Sequence, residues 1–168
     1  MPDKLILLTY QSWADIDQAV DGLTPEQATT RYDSGSSIAW TVGHVTTQVD
    51  SWINMRFQGL PPQSVFSRAI FRTGGSGEAT DWPGILAGVR DVRAAARRFL
   101  DSEPAPDLDR VIPYDGAITY LRSTGLPLRF ALMSIAAHHF QHVGEIVTIR
   151  SRLGHVDVGV QDWGRALI

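Results

Sequence analysis

Apolar residues recur at three- and four-residue steps in four long stretches of the chain, separated by clusters of proline, glycine and small polar residues, a pattern that predicts helices. The first runs from about Asp3 to Val20, with Leu5, Leu8, Trp13, Ile16 and Val20 on one face, and Asp21-Gly22 stops it. Thr24-Pro25-Glu26-Gln27 supplies an N-cap hydroxyl, a proline at the first helical position and a glutamine at the capping-box position. The run then breaks up, so it predicts a single connecting turn. A second helix begins after Asp33-Ser34-Gly35-Ser36 and reaches about Phe57, where Gly59-Leu60-Pro61-Pro62 forbids more. Its stripe is Ile38, Val42, Val45, Val49, Trp52 and Ile53. Residues 61 to 80 read as loop. The third helix starts near Thr80-Asp81, takes Pro83 in its first turn, and carries Ile85, Val89, Val92, Ala96, Phe99 and Leu100. Arg90, Arg93, Arg97 and Arg98 read as its solvated outer face, and Glu103-Pro104-Ala105-Pro106 ends it.

Residues 107 to 126 are the least helical. Val111-Ile112-Pro113-Tyr114 and Ile118-Thr119-Tyr120-Leu121 flank Asp115-Gly116, which suits a small hairpin or an ordered loop equally. The fourth helix runs from Pro127 to Leu153, with Gly154 as its stop and Arg150 and Arg152 complementing the C-terminal dipole. The expected fold is therefore all-α, an antiparallel four-helix bundle with a long loop or small hairpin before the last helix. Residues 1–154 form the bundle domain, and 155–168, which include Trp163, form a tail that docks on its own bundle or makes a dimer.

Composition narrows the chemistry. A chain of 168 residues that is 43% hydrophobic can bury a core without disulfides or a structural metal. With a formal charge of −3 and no Lys/Arg run with interleaved aromatics, nucleic acid is not an expected partner. The N-terminal apolar run, Leu5 to Leu8, is too short for a signal segment or a span, so no membrane partner and a cytoplasmic location are expected. Cysteine is absent, which removes thiolate ligands and leaves histidine and carboxylate for any transition metal.

Of the five histidines, three crowd the fourth helix. His138 and His142 are four apart, so their rings rise from adjacent turns on one side. That spacing is weak evidence alone; the helical wheel strengthens it by placing His142 in the core arc and His138 at its edge. His44, beside Thr41 and Gln48 on a flank of the second helix, suits a group lining a cleft. Two histidines from one helix and one from another leave coordination positions open, as in a catalytic zinc site. The plainer reading is that these are hydrogen-bonded polar groups only. His139 reads as a packed residue and as the substitute ligand for His138; His155 reads as solvated. Glu145, three residues after His142, is the candidate catalytic carboxylate: a fourth ligand, a base on bound water, or a partner orienting an imidazole, with a plain surface glutamate as the equal alternative. Gln48 and Gln141 are peripheral candidates.

Ser36-Ser37-Ile38-Ala39-Trp40-Thr41-Val42-Gly43-His44-Val45, then His138-His139-Phe140-Gln141-His142-Val143-Gly144-Glu145-Ile146, then Ile149-Arg150-Ser151-Arg152-Leu153-Gly154, resembles the DinB/YfiT-like superfamily. The resemblance covers about residues 3 to 154. It implies a four-helix bundle holding a divalent metal, zinc or nickel, on three histidines, here His44, His138 and His142. It also implies a low-molecular-weight thiol as co-substrate, since characterised relatives include bacillithiol transferases and mycothiol-dependent isomerases, and it implies a homodimer. Val143 stands where an Arg often precedes Gly-Gln, and Glu145 where Gln is common, a departure that bears on substrate contacts and leaves the ligands untouched.

Two functions follow as expectations. The first is a metal-dependent enzyme, a thiol-dependent S-transferase or hydrolase acting on a small molecule. The alternative is a non-catalytic metal- or ligand-binding helical module that works through dimerisation or a protein partner.

Overall fold

Asp3 opens the first helix by accepting the Leu5 N–H on its carboxylate, and α1 then spans Lys4–Val20. The computed structural model describes residues 3–32, 34–67 and 69–155. The buried face of α1 is Ile6, Thr9, Trp13, Ile16 and Val20, while Leu5 and Leu8 are half-buried, so the stripe lies about one position on from the expected one. Thr9 explains the shift: its hydroxyl donates to the Leu5 carbonyl at 2.9 Å, which lets a polar side chain be buried at no hydrogen-bonding loss. A short α2, Pro25–Thr29, carries the full capping box between Thr24 and Gln27.

Ser37 caps α3, Ile38–Val49, which continues without a break into a π-helical segment, Asp50–Phe57. The span matches the expected second helix, but the winding does not. Asp50 is buried, and its carboxylate accepts the Gln63 N–H and the Asn54 amide, while Asn54 also donates to the Val92 carbonyl. These cross-links tie the widened turn to the following loop and to the next helix, and no hydrophobic periodicity encodes them. That next helix, α4, is Trp82–Leu100, capped by Asp81. Its apolar stripe is as expected, with one correction: Arg93 is buried and paired with Asp17 of α1, so the arginine row is not wholly a solvated face.

Val111–Ile112 forms β1, Leu121–Thr124 forms α5, and Leu126–Pro127 forms β2. The ladder is antiparallel, pairing Val111 with Pro127 and Ile112 with Leu126. The strand therefore finds its partner just before the last helix and not across Asp115-Gly116. Residues 114–122 instead coil on themselves, with the Ile118 N–H donating to the Tyr114 hydroxyl and Arg122 to the Gly116 carbonyl. Gly125 permits the close pairing: its φ is 81°, and a Cβ there would meet Val111 Cγ1 at 2.5 Å.

The last helix, α6, spans Leu128–Arg152 and packs along α1, while α3 packs on both α4 and α6. The shared core includes Trp13, Ile16, Ile38, Val45, Ile53, Ile85, Leu132, Ile135 and Ile146. The chain is thus mostly helical, with one small two-stranded ladder among the described residues. None of its helices is long and apolar enough to cross a membrane. His155 is half-buried against α2, its Nε2 3.1 Å from the Gln27 amide, where solvent was expected. The rest of the expected tail, Trp163 included, lies outside the described residues.

Arg150 does more than complement a dipole. It is buried, and Nη1 donates to the carbonyls of Ala19 and Asp21 at 2.9 and 2.6 Å, closing the C-terminal end of α1 onto α6. Charge-assisted bonds of this kind contribute about 1.5–3 kcal/mol each. Arg150→Met, which keeps the stem, is expected to lower stability by about 2–4 kcal/mol in urea denaturation, because two carbonyls lose their donor.

Candidate metal centre

The packing of α3 on α6 brings His44 to His138 and His142. One ring nitrogen from each of the three lies within 4.8 Å of the others. The ring centroids are 5.0 Å apart for His44 and His138, 5.3 Å for His44 and His142, and 4.6 Å for His138 and His142. All three side chains are partly buried.

Each ring is held by its other nitrogen. His44 Nδ1 lies 2.8 Å from the Phe71 carbonyl, His138 Nδ1 lies 2.9 Å from Gln48 Oε1, and His142 Nδ1 lies 2.6 Å from Glu145 Oε2. A carbonyl, an amide oxygen and a carboxylate can only accept, so the proton of each ring sits on Nδ1 and each Nε2 presents a bare lone pair. His138 Nε2 and His142 Nε2 are 3.1 Å apart. Two lone pairs at that distance repel unless a proton or a cation lies between them. Tetrahedral zinc with Zn–N bonds of about 2.0–2.1 Å sets its nitrogens roughly 3.3 Å apart. The donor set therefore fits a divalent transition metal, and the outer acceptors are the kind that orient metal-bound imidazoles.

Gln48 was only a peripheral candidate in the sequence, and Phe71 was not one. Gln48 lies one turn after His44 on α3, which is the signal that was available. Phe71 sits in a short 3₁₀ turn, Ala69–Phe71, within the Gly-rich loop. The structure shows why Gly43 precedes His44: a Cβ at Gly43 would stand 2.2 Å from Phe71 Cε1, so only the bare backbone lets the phenyl ring dock there. The indole N–H of Trp40 donates to the Ile70 carbonyl, and its ring stacks on His44 at 4.8 Å. The loop is thus pinned on both sides of the carbonyl that holds His44.

Burial shapes the titration of His138 and His44. It pushes His138 down to about 4, helped by the nearby His142 and His44, and it lowers His44, opposed by the Phe71 carbonyl. Both are neutral near pH 7 and free to ligate without first losing a proton. His139 is fully buried, its Nδ1–H donating to the Ile135 carbonyl, so it faces the core and not the centre. Burial, followed by the charge of Arg93, pushes it down to about 3. Its folded form therefore resists a proton that the unfolded chain accepts near its ordinary value of 6.5. Stability is unaffected by this group above about pH 7 and falls as pH drops from about 6.5 toward 3. His139→Phe should flatten that part of a pH series of urea midpoints.

A cavity of about 720 Å³ opens on the His44 and His138 side of the centre. Trp52, Phe71, Ala117 and Ala137 supply its apolar wall, and Gln48, Gln141 and Ser134 its neutral polar groups. The π-helical segment places Ser51 and Trp52 on this wall. Glu145 is not on it; the carboxylate stands behind His142.

A family model described as the DinB superfamily matches residues 8–146. A search of curated proteins finds no match to the chain.

Proposed function

The chain belongs to the DinB superfamily, and on that footing we propose that it is a divalent-metal-dependent enzyme, a thiol-dependent S-transferase or hydrolase acting on a small molecule. The observation that carries this reading is the set of three imidazoles with one ring nitrogen each within 4.8 Å of the others, beside a cavity. His44, His138 and His142 would hold zinc or nickel, with the four long helices arranged as the antiparallel bundle of the family and residues 1–154 as its domain. A divalent cation there supplies Lewis acidity, making a thiol or water in its open sphere acidic enough to act as a nucleophile near neutral pH.

The chain's own residues do the rest. Phe71, Gln48 and Glu145 keep the three protons on Nδ1 and so keep Nε2 available. Glu145 is a positioning residue in this scheme, because its oxygen is engaged on the far side of the His142 ring. The side chains of Trp52, Phe71 and Ala137 give an apolar wall against which a substrate can pack. We further infer a cytoplasmic homodimer, for which light scattering should give twice the chain mass of 18.5 kDa.

The test is thiol consumption in the presence of an electrophile such as chlorodinitrobenzene, with zinc- or nickel-loaded protein before and after chelation. Turnover is expected to require the metal, and turnover that survives its complete removal contradicts the proposal. A second reading draws on the engagement of Glu145: no carboxylate among the described residues lines the cavity, as a non-catalytic module would allow. It predicts stoichiometric metal uptake with no turnover of any thiol or ester.

A further inference from the structure

Among the described residues lining the cavity beside the three imidazoles, Arg72 carries the only fixed charge. No carboxylate pairs with it among the described residues, whereas Arg31, Arg56, Arg93 and Arg129 each have an acidic partner. An arginine facing a cavity with no acid among the described residues of its wall presents its planar donor fork to whatever enters.

Its position is set by the chain. Arg72 directly follows Phe71, whose carbonyl lies 2.8 Å from His44 Nδ1. Its guanidinium and the centre are therefore separated by no more than one arginine side chain plus one imidazole, a distance that a single small molecule spans. Trp52, Phe71, Ala117 and Ala137 line the same cavity and give it an apolar surface suited to a flat apolar body. An unpaired guanidinium repels a cationic ligand and favours an anion.

We infer that Arg72 is the anion anchor of this cavity, and that the ligand is a small carboxylate with a flat apolar body whose other end reaches the three imidazoles. The inference rests on reading the cavity as the substrate site, but the anchor itself requires no metal. Arg72 determines specificity: it selects the carboxylate and fixes which end of the molecule meets the centre.

The experiment titrates benzoate and its uncharged analogue benzyl alcohol into wild type and R72Q, each zinc-loaded and chelator-treated, following amide chemical shifts. Arg72 is exposed and packs on nothing in the core, so R72Q should fold and take up zinc as wild type does. In wild type, benzoate should bind at least about tenfold more tightly than benzyl alcohol in both metal states, and R72Q should abolish that preference. A preference that survives R72Q in the zinc-loaded protein and vanishes on chelation means the carboxylate sits on the metal, and it overturns the anchor. So does the absence of any preference in wild type. An Arg72-dependent preference in a protein that takes up no zinc supports the anchor and sinks the metal proposal, so the two failures are distinct.

Discussion

His142→Ala is expected to abolish metal binding, taking zinc or nickel from about one ion per chain to less than one-tenth after dialysis, because two imidazoles alone do not make a closed or catalytic site. The loss should exceed the roughly 10–100-fold affinity change that follows removal of an outer hydrogen-bond partner. Stability should report it too. A ligand present at about 100 times its dissociation constant stabilises the folded state by roughly 2.7 kcal/mol, which in a domain of this size moves Tm by roughly 5–10 °C. Chelation should therefore lower the Tm of metal-loaded wild type by that amount and leave His142→Ala unmoved. His155→Ala, whose ring contacts Gln27 and not the centre, is the matched control and should behave as wild type. If instead chelation shifts neither protein, the three rings are only polar groups of the bundle.

The second large effect concerns Gly43. In the middle of a helix, Gly→Ala ordinarily stabilises by about 0.5–1 kcal/mol. At Gly43 the new methyl would stand 2.2 Å from Phe71 Cε1, with two more ring atoms within 2.7 Å. The ring must leave, and overpacking of this kind costs about 1–3 kcal/mol. The cost outweighs the helical gain, so Gly43→Ala should be less stable than wild type by about 1–2 kcal/mol. Displacing Phe71 also withdraws the carbonyl that orients His44, so metal affinity should fall by about 10–100-fold. Gly144→Ala gives the contrast on α6: a Cβ there meets nothing within 4 Å, and the substitution should stabilise by up to about 1 kcal/mol. Isothermal metal titration and urea denaturation of both variants check the opposite signs.

What the sequence made readable was what has a period or a cap. The stripe Ile38, Val42, Val45, Val49 is buried throughout, as are Ile85, Val89, Val92 and Ala96, because a 3.6-residue repeat leaves a helix no other face to bury. The capping box at Thr24 and Gln27 was equally plain. The three histidines were legible as candidates because i, i+4 spacing puts two rings on one side, and a flank position sets the third at a cleft.

What has neither period nor cap was not readable. The π-helical winding of Asp50–Phe57 depends on bonds from Asp50 to Gln63 and from Asn54 to Val92, contacts that only the tertiary fold creates. The pairing of Val111–Ile112 with Leu126–Pro127 skips the local turn signal at Asp115-Gly116. Arg93 looked like one of four solvated arginines, yet Asp17 comes to it from α1. Phe71 acts through a backbone carbonyl, which every residue possesses, so its side-chain identity carried no sign of the role; the only trace was the glycine facing it at position 43.

The proposed centre requires His44, from a distant stretch of chain, to share one ion with His138 and His142. X-ray absorption of the zinc-loaded protein measures this directly, in wild type and in His44→Ala. The predicted wild-type spectrum has three imidazole nitrogens at about 2.0–2.1 Å together with exchangeable oxygen scatterers, and His44→Ala loses one of the three. A spectrum identical in the two proteins, or one built from carboxylate oxygens alone, contradicts it.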